Sequence, residues 1–298
     1  MIYSTKATVA DYAFSKDRES YRITLRAKDW DGAFLPGQFL NIRLPLQSQR
    51  HKYRTYTDEK EFFSVPHKAV KRFPYIRRPF SIYKTEKNAK TGETDIHLLV
   101  AKLGIGSSQL ADLPLGEEVE VFTPIGNSFP QFDNVKEVYL VGGGIGLAPL
   151  IETSRAYRKR GIKTSIFYGV RTSDASVITS KADIGDAADE FFIATDIKED
   201  GVYNGFVTDL LVKEKLSGKD FNPAEKVVLA CGPTPMFHSL AKILSQYNLE
   251  GYLSLENYMA CGIGSCMGCV VKTFEGENSH NTRTCQEGPI FHYRDIYQ

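Results

Sequence analysis

VKEVYLVGGGIGLAPL, residues 135–150 of a 298-residue chain, is an apolar run that enters a glycine-rich turn and leaves it as a helix. Gly142, Gly143, Gly144 and Gly146 let that turn approach a pyrophosphate closely, because glycine carries no side chain. Leu147 to Arg160 reads as the helix, ended by Gly161. KTSIFYGV, EFFIATD and KVVLACG follow as apolar strands with helical stretches between them. Strand–helix alternation predicts a parallel, doubly wound α/β sheet. The turn is not G-x-G-x-x-G, and no acid stands about twenty residues on at a strand end, as the common dehydrogenase fingerprint requires. The pattern still predicts a nicotinamide nucleotide site. ACGPTPM (230–236) ends a strand at the carboxyl edge of the sheet, where open α/β folds bind ligands. Cys231 and Gly232 there could face a nicotinamide ring, or Cys231 could be a buried structural thiol.

Upstream the period changes. SYRITLRA, FLNIRL, DIHLLVAKL and EEVEVFTPIG alternate, and Pro36-Gly37, Pro114-Leu115-Gly116 and Pro124-Ile125-Gly126 punctuate them. FLNIRL puts Leu40, Ile42 and Leu44 on one face. Short strands at this spacing predict a small antiparallel β-barrel. RRPFSI (77–82) opens one strand: Arg78 offers a bidentate fork for a pyrophosphate, and Phe80 and Ser81 offer apolar contact and a hydroxyl for a flavin. KLGIGSSQL (102–110) is a glycine turn opening a helix, with Gly104, Gly106, Ser107 and Ser108 as candidate phosphate contacts and either serine as the cap. By itself each motif reads equally as a strand edge or a capped turn. Residues 47–76 carry seven Lys/Arg, three acids and six aromatics without a period. They read as a surface insertion or as a lid or partner-docking element.

Downstream, MACGIGSCMGC sets Cys261, Cys266 and Cys269 at C-x4-C-x2-C, and Cys285 follows after fifteen residues. That is the plant-type spacing of a [2Fe–2S] cluster. Gly262, Gly264 and Gly268 between the thiols let backbone N–H groups point at sulfur. A structural zinc site, whose thiols more often come as two C-x2-C pairs, is the rival.

The length predicts two or three domains: 1–132 a flavin barrel, 133–250 a nucleotide-binding α/β domain, and 251–298 a cluster module. Hydrophobic residues make up 42% and the net charge is +1, so composition gives no pull toward nucleic acid or anionic membrane. MIYSTKATVADYAF has no basic region before an apolar core, and no apolar run of eighteen residues exists, which predicts neither a signal peptide nor a span. Four of five cysteines belong to the cluster motif, which fits a reducing cytoplasm. The six histidines form no triad or ligand pattern, and His51, His67, His280 and His292 fall in apparent loops. No base-and-oxyanion constellation for oxidising a carbon substrate is present, so a separate catalytic chain is expected. Glu256 and Asp196 are acids that could approach the flavin or nucleotide.

The order RRPFS, GIGSS, GGGIGLAPL, ACGPTPM and a cysteine cluster resembles the ferredoxin–NADP reductase superfamily over nearly the whole chain. Within it, LENYMACGIGSCMGCVVKT followed by TCQEGPIF resembles the electron-transfer subunits of class B dihydroorotate dehydrogenases. The resemblance implies FAD held by Arg78, Pro79, Phe80, Ser81, Gly104, Gly106, Ser107 and Ser108. It implies NAD at Gly142 to Gly146 and at Cys231-Gly232, and iron at Cys261, Cys266, Cys269 and Cys285. It implies an FMN-containing catalytic partner in a heterotetramer, with electrons passing through the cluster and FAD to NAD+. The 47–76 insertion is longer than that family's usual connection, and Phe80 stands where relatives carry tyrosine or an aliphatic residue. Arg171 favours a 2′-phosphate and Asp174 opposes one, and NAD is expected over NADP. The alternatives are a flavin/iron–sulfur subunit serving sulfite reductase, hydrogenase or ferredoxin-NADP transhydrogenation, a redox sensor without turnover, and a zinc-stapled structural protein.

Overall fold

A computed structural model describes residues 2–45, 76–218 and 221–297; all of the 47–76 insertion except Ile76 lies outside the described residues. Six strands close an antiparallel barrel: β1 (Tyr3–Phe14), β2 (Ser20–Ala27), β3 (Phe39–Arg43), β4 (Arg78–Lys87), β5 (Thr94–Ala101) and β6 (Glu118–Ile125), in the order β1-β2-β5-β4-β3-β6. Alternation decides which side chains enter it. Tyr21, Ile23 and Leu25 of β2 and Leu40 and Ile42 of β3 fill the interior, and Leu44 joins them. Helix α1 (Ile105–Ala111) adds Leu110 to this core, and the hydroxyl of the buried Tyr21 donates to the Ser107 carbonyl at 2.6 Å.

The second layer system is a seven-stranded sheet in the order β10-β9-β8-β7-β11-β12-β15. Its strands are β7 (Glu137–Gly143), β8 (Lys163–Val170), β9 (Glu190–Thr195), β10 (Tyr203–Asn204), β11 (Lys226–Cys231), β12 (Glu250–Ser254) and β15 (Ile290–His292). All pairs are parallel except β12 with β15. The main covering helices are α2 (Ala148–Lys159), α4 (Val207–Leu211) and α5 (Thr234–Gln246), and α3 (Lys181–Ile184) and α6 (Tyr293–Ile296) are short. Barrel and sheet share one core: Tyr83 and Leu99 pack with Leu147, Ile151 and Tyr168.

The hairpin β13 (Val270–Glu275) and β14 (Asn278–Arg283) stands between the third and fourth cluster cysteines. The chain then returns to lay β15 against β12. The expected boundary at 250/251 therefore falls within β12, and β15 and α6 lie beyond it on the sheet. Two histidines expected in loops sit on strands instead, His280 in β14 and His292 in β15, while His51 and His67 lie outside the described residues. None of the described helices is long and apolar enough to cross a membrane.

Candidate functional site

The flavin motif residues Arg78 to Ser81 are the first four of β4. Arg78 pairs with Ile42, Pro79 with Asn41, Phe80 with Leu40 and Ser81 with Phe39 across β3. Arg78, Pro79, Phe80 and Ser81 are all half-buried. The Arg78 side chain runs over Gly106: a Cβ on that glycine would stand 3.1 Å from its Cγ. One guanidinium nitrogen donates to the Ile76 carbonyl at 2.7 Å and to that of Arg77 at 3.2 Å. The cation is thereby held against the start of α1. The cap of α1 is Gly104, not a serine. Ser107 sits three residues in, its Oγ accepting from the Gly104 N–H at 3.2 Å and donating to the Gly104 carbonyl at 3.1 Å. Gly104 is exposed and nothing lies within 4 Å of where its Cβ would be. The open glycine, the serines and the arginine make a cationic, donor-rich cradle that fits a pyrophosphate.

The nucleotide candidates lie along the carboxyl edge of the parallel sheet. Gly142 pairs with Tyr168 on one side and with Cys231 on the other, and Cys231 pairs with Ser254. Four of the glycines are placed by packing. A Cβ on Gly146 would stand 2.2 Å from the Cys231 carbonyl oxygen, one on Gly143 2.6 Å from Pro233 Cδ, one on Gly142 3.1 Å from Leu147 Cα, and one on Gly232 2.5 Å from Met236 Cε. Gly144 alone of this set is exposed, with φ +55 and open space around it, so it is the glycine that a ligand can reach. Cys231 is buried, and burial, with the Glu256 carboxylate second, pushes its thiol far above the ordinary range; it is a neutral, small surface. Asp174 is taken up by the barrel: Lys16 Nζ lies 2.7 Å from its Oδ1, and Ser20 Oγ donates to the next carbonyl, Ala175, at 2.7 Å.

The four cluster cysteines gather on the outer face of the barrel. Cys269 and Cys285 are buried with Phe39, Phe122, Ile125 and Met259, whereas Cys266 is exposed and Cys261 half-buried. Backbone N–H groups aim at sulfur as the glycines suggested: Ile263 donates to Cys261 Sγ at 3.5 Å, Gly264 to Cys285 Sγ at 3.2 Å and Gly268 to Cys266 Sγ at 3.4 Å. Gly262 and Gly264 have φ +71 and +79, left-handed values that L side chains rarely adopt. Burial works to raise the Cys261 thiol, but the Ile263 N–H, the Cys266 thiol and neighbouring amides outweigh it and lower it to about 7. Burial and then the Cys269 sulfur push Cys285 up to about 12. The Cys266 thiol acts on Cys261, and the Cys269 sulfur and then Cys261 act on Cys285, so the four thiols feel one another. Among the described residues no three His, Cys, Asp or Glu side chains converge on one metal position. Four thiols at this spacing, three of them with a backbone N–H aimed at sulfur, fit a two-iron cluster.

The module is pinned by a residue that the sequence did not single out. Asn127, just after β6, donates to the carbonyls of Glu287 (2.9 Å) and Ile290 (2.8 Å), and its Oδ1 accepts from the Ile290 N–H at 3.0 Å. Its own N–H donates to the Gly288 carbonyl at 2.7 Å. The nearby Pro-Ile-Gly signal marked only a turn.

Comparison with known proteins adds two matched regions. Residues 256–297 match the iron-sulfur cluster binding domain of dihydroorotate dehydrogenase B, and residues 140–242 match the oxidoreductase NAD-binding domain. The dihydroorotate dehydrogenase B (NAD(+)) electron transfer subunit of Fusobacterium nucleatum subsp. nucleatum is 31% identical over 281 residues, 94% of this chain and 93% of that one. The Bacillus caldolyticus subunit of the same name is 30% identical over 298 residues, 99% of each chain. Among solved structures, the NADH-dependent reduced ferredoxin-NADP oxidoreductase structure, described for flavin-based electron bifurcation, superposes with TM-score 0.74 at 21% identity, over 97% of this chain and 89% of that one. A ferredoxin NADP+ reductase from Neisseria gonorrhoeae with bound FAD and NADP does so with TM-score 0.57 at 16% identity, over 82% and 91%. Those two likenesses concern the fold alone. With near-full-length relatives at this identity, the chain belongs to the family of dihydroorotate dehydrogenase B (NAD(+)) electron transfer subunits.

Proposed function

We propose that this chain carries electrons from a dihydroorotate-oxidising, FMN-containing catalytic subunit to NAD+, and that it does so with FAD and a [2Fe–2S] cluster. The observation that carries the reading is the seating of Cys269 and Cys285 on the barrel beside β3, the strand that pairs with the flavin motif. Cluster and flavin sites on one wall make a short path between them. When bound, the cluster supplies single electrons, the nicotinamide takes a hydride, and the flavin can do both.

The chain's own residues bind and shield. Arg78 balances pyrophosphate charge, with Gly104, Gly106, Ser107 and Ser108 forming the cradle around it. Pro79, Phe80 and Ser81 form the ring wall. Gly144 is the open tip for the nucleotide's phosphates, while Gly142, Gly143, Gly146 and Gly232 shape the floor. Cys231 offers a neutral buried edge to the nicotinamide. Cys261, Cys266, Cys269 and Cys285 ligate iron. The working division is a flavin unit over 1–132, a nucleotide unit from 133 that takes in β12 and β15, and a cluster unit between those strands. NAD is the expected nucleotide, as in the names of the relatives, and two copies of each subunit in the cytoplasm are the expected assembly.

The test is anaerobic co-purification followed by assay of dihydroorotate-dependent NAD+ reduction. An FMN-containing partner that supports this activity, with none in the isolated chain, is the expected result. Oxidation of dihydroorotate by the chain alone, or a partner without that activity, would refute the assignment.

A further inference from the structure

Asn41 is 0% exposed, and neither its Nδ2 nor its Oδ1 has a hydrogen-bond partner among the described residues. A buried carboxamide left so is costly, and native structures seldom keep one without a use. Its place suggests the use. Strand alternation sends Leu40 and Ile42 into the barrel and Asn41 out of it. On that outer face Asn41 pairs with Pro79 of the flavin motif on one side and with Phe122 on the other. Above it lies the cluster loop: a Cβ on Gly262, the residue after Cys261, would stand 2.0 Å from Asn41 Nδ2. The surroundings are apolar, with Phe39, Phe122, Ile125 and Met259 packed around Cys269 and Cys285. A donor in so dry a place acts strongly on any charge beside it.

We propose that Asn41 is a positioning residue for the iron–sulfur centre, its Nδ2 donating a hydrogen bond to a cluster sulfur from the barrel side. The inference rests on the cluster reading given above. Backbone N–H groups of Ile263, Gly264 and Gly268 serve three ligand sulfurs from the loop side. Asn41 adds a side-chain donor from the wall that also carries the flavin motif. A hydrogen bond to sulfur stabilises the more negative, reduced cluster and so raises its potential. The contact also accounts for glycine at 262, since any larger residue would displace the carboxamide.

The test is an EPR-monitored reductive titration of the holoprotein and its Asn41→Leu variant, with iron and flavin content measured alongside. The expected result is a cluster midpoint moved to more negative potential, with the flavin midpoint unchanged and both cofactors at wild-type occupancy. An unmoved cluster midpoint at full occupancy overturns the inference, as does a shift confined to the flavin. Should the variant fail to assemble, pulsed EPR of the reduced wild-type protein with asparagine side chains labelled in 15N decides. A 15N coupling at the cluster supports the bond, and its absence overturns it. A wild-type chain with no reduced-cluster signal would be a different failure, that of the cluster reading itself.

Discussion

The backbone of Gly146 lies against the carbonyl of Cys231, so closely that a methyl group on the glycine would stand 2.2 Å from the oxygen. The glycine turn after β7 and the strand end after β11 are therefore fitted to each other before any ligand arrives. Gly146→Ala should force them apart, at a cost of about 1–3 kcal/mol or more, read as a lower melting temperature and weaker bleaching of the flavin by NADH. Gly144→Ala is the contrast. It meets open space at φ +55 and should cost only about 1–2 kcal/mol of backbone strain. Its larger effect should appear as a raised KM for the nucleotide. Equal behaviour of the two variants would contradict the division between floor and tip.

Arg78 is braced by two carbonyls and by Gly106, so it is presented to its ligand with little freedom left to lose. Arg78→Ala should weaken FAD binding about tenfold to a hundredfold, the value of one lost charge-assisted contact. Arg78→Lys should recover part of that, since charge survives and the fork does not. Flavin fluorescence on dilution measures both.

Cys285→Ser removes one member of the buried thiol pair. The cluster's visible absorbance and EPR signal should disappear while FAD stays bound and NADH still bleaches it. Dihydroorotate-dependent NAD+ reduction with the catalytic partner should fall to background. Survival of that activity would mean that electrons bypass the cluster.

A charge network at the other end of the sheet sets an acid limit. Ser165 Oγ lies 2.9 Å from a Glu137 carboxylate oxygen and 2.7 Å from one of Glu190, with one proton to share between them, Lys215 bridges the same two carboxylates, and Lys163 lies 3.1 Å from Glu190. Burial works to raise Glu190, but the hydrogen bonds from Lys215, Ser165 and Lys163 outweigh it and lower it to about 2 from an ordinary 4.5. A folded value below the unfolded one stabilises fully above the unfolded value and fades as pH falls toward the folded one. The stability difference between wild type and Glu190→Gln should thus be constant above about pH 5 and shrink between 4.5 and about 2. Denaturant midpoints across that range check it; a difference independent of pH would count against the network.

Much of this was written plainly along the chain. KTSIFYGV is β8, and SYRITLRA is β2, because long apolar or alternating runs bounded by charge and glycine leave a strand little choice. The cysteine spacing carried the cluster in the same way, since ligand chemistry fixes which residues can serve. What stayed hidden depends on contacts between distant segments. Asn41 looks like any polar residue facing solvent on FLNIR until the cluster loop covers it. His292 reads as a loop residue because β15 is three residues long and exists only by pairing with β12. Ser107 and Ser108 are both natural caps by type, yet the turn puts Gly104 at that position and uses Ser107 from within.

β15 has a further meaning for how such a protein can be altered. The strand that closes the edge of the nucleotide sheet is made from residues downstream of Cys285, the last cysteine of the cluster motif. Cutting the chain after residue 254 would bare the backbone of β12 at Tyr252, Leu253 and Ser254, an invitation to intermolecular pairing. The iron–sulfur segment is consequently not a cassette to be swapped or trimmed. An engineer who wants a cluster-free reductase from this scaffold must keep the returning strand and remove only the thiols.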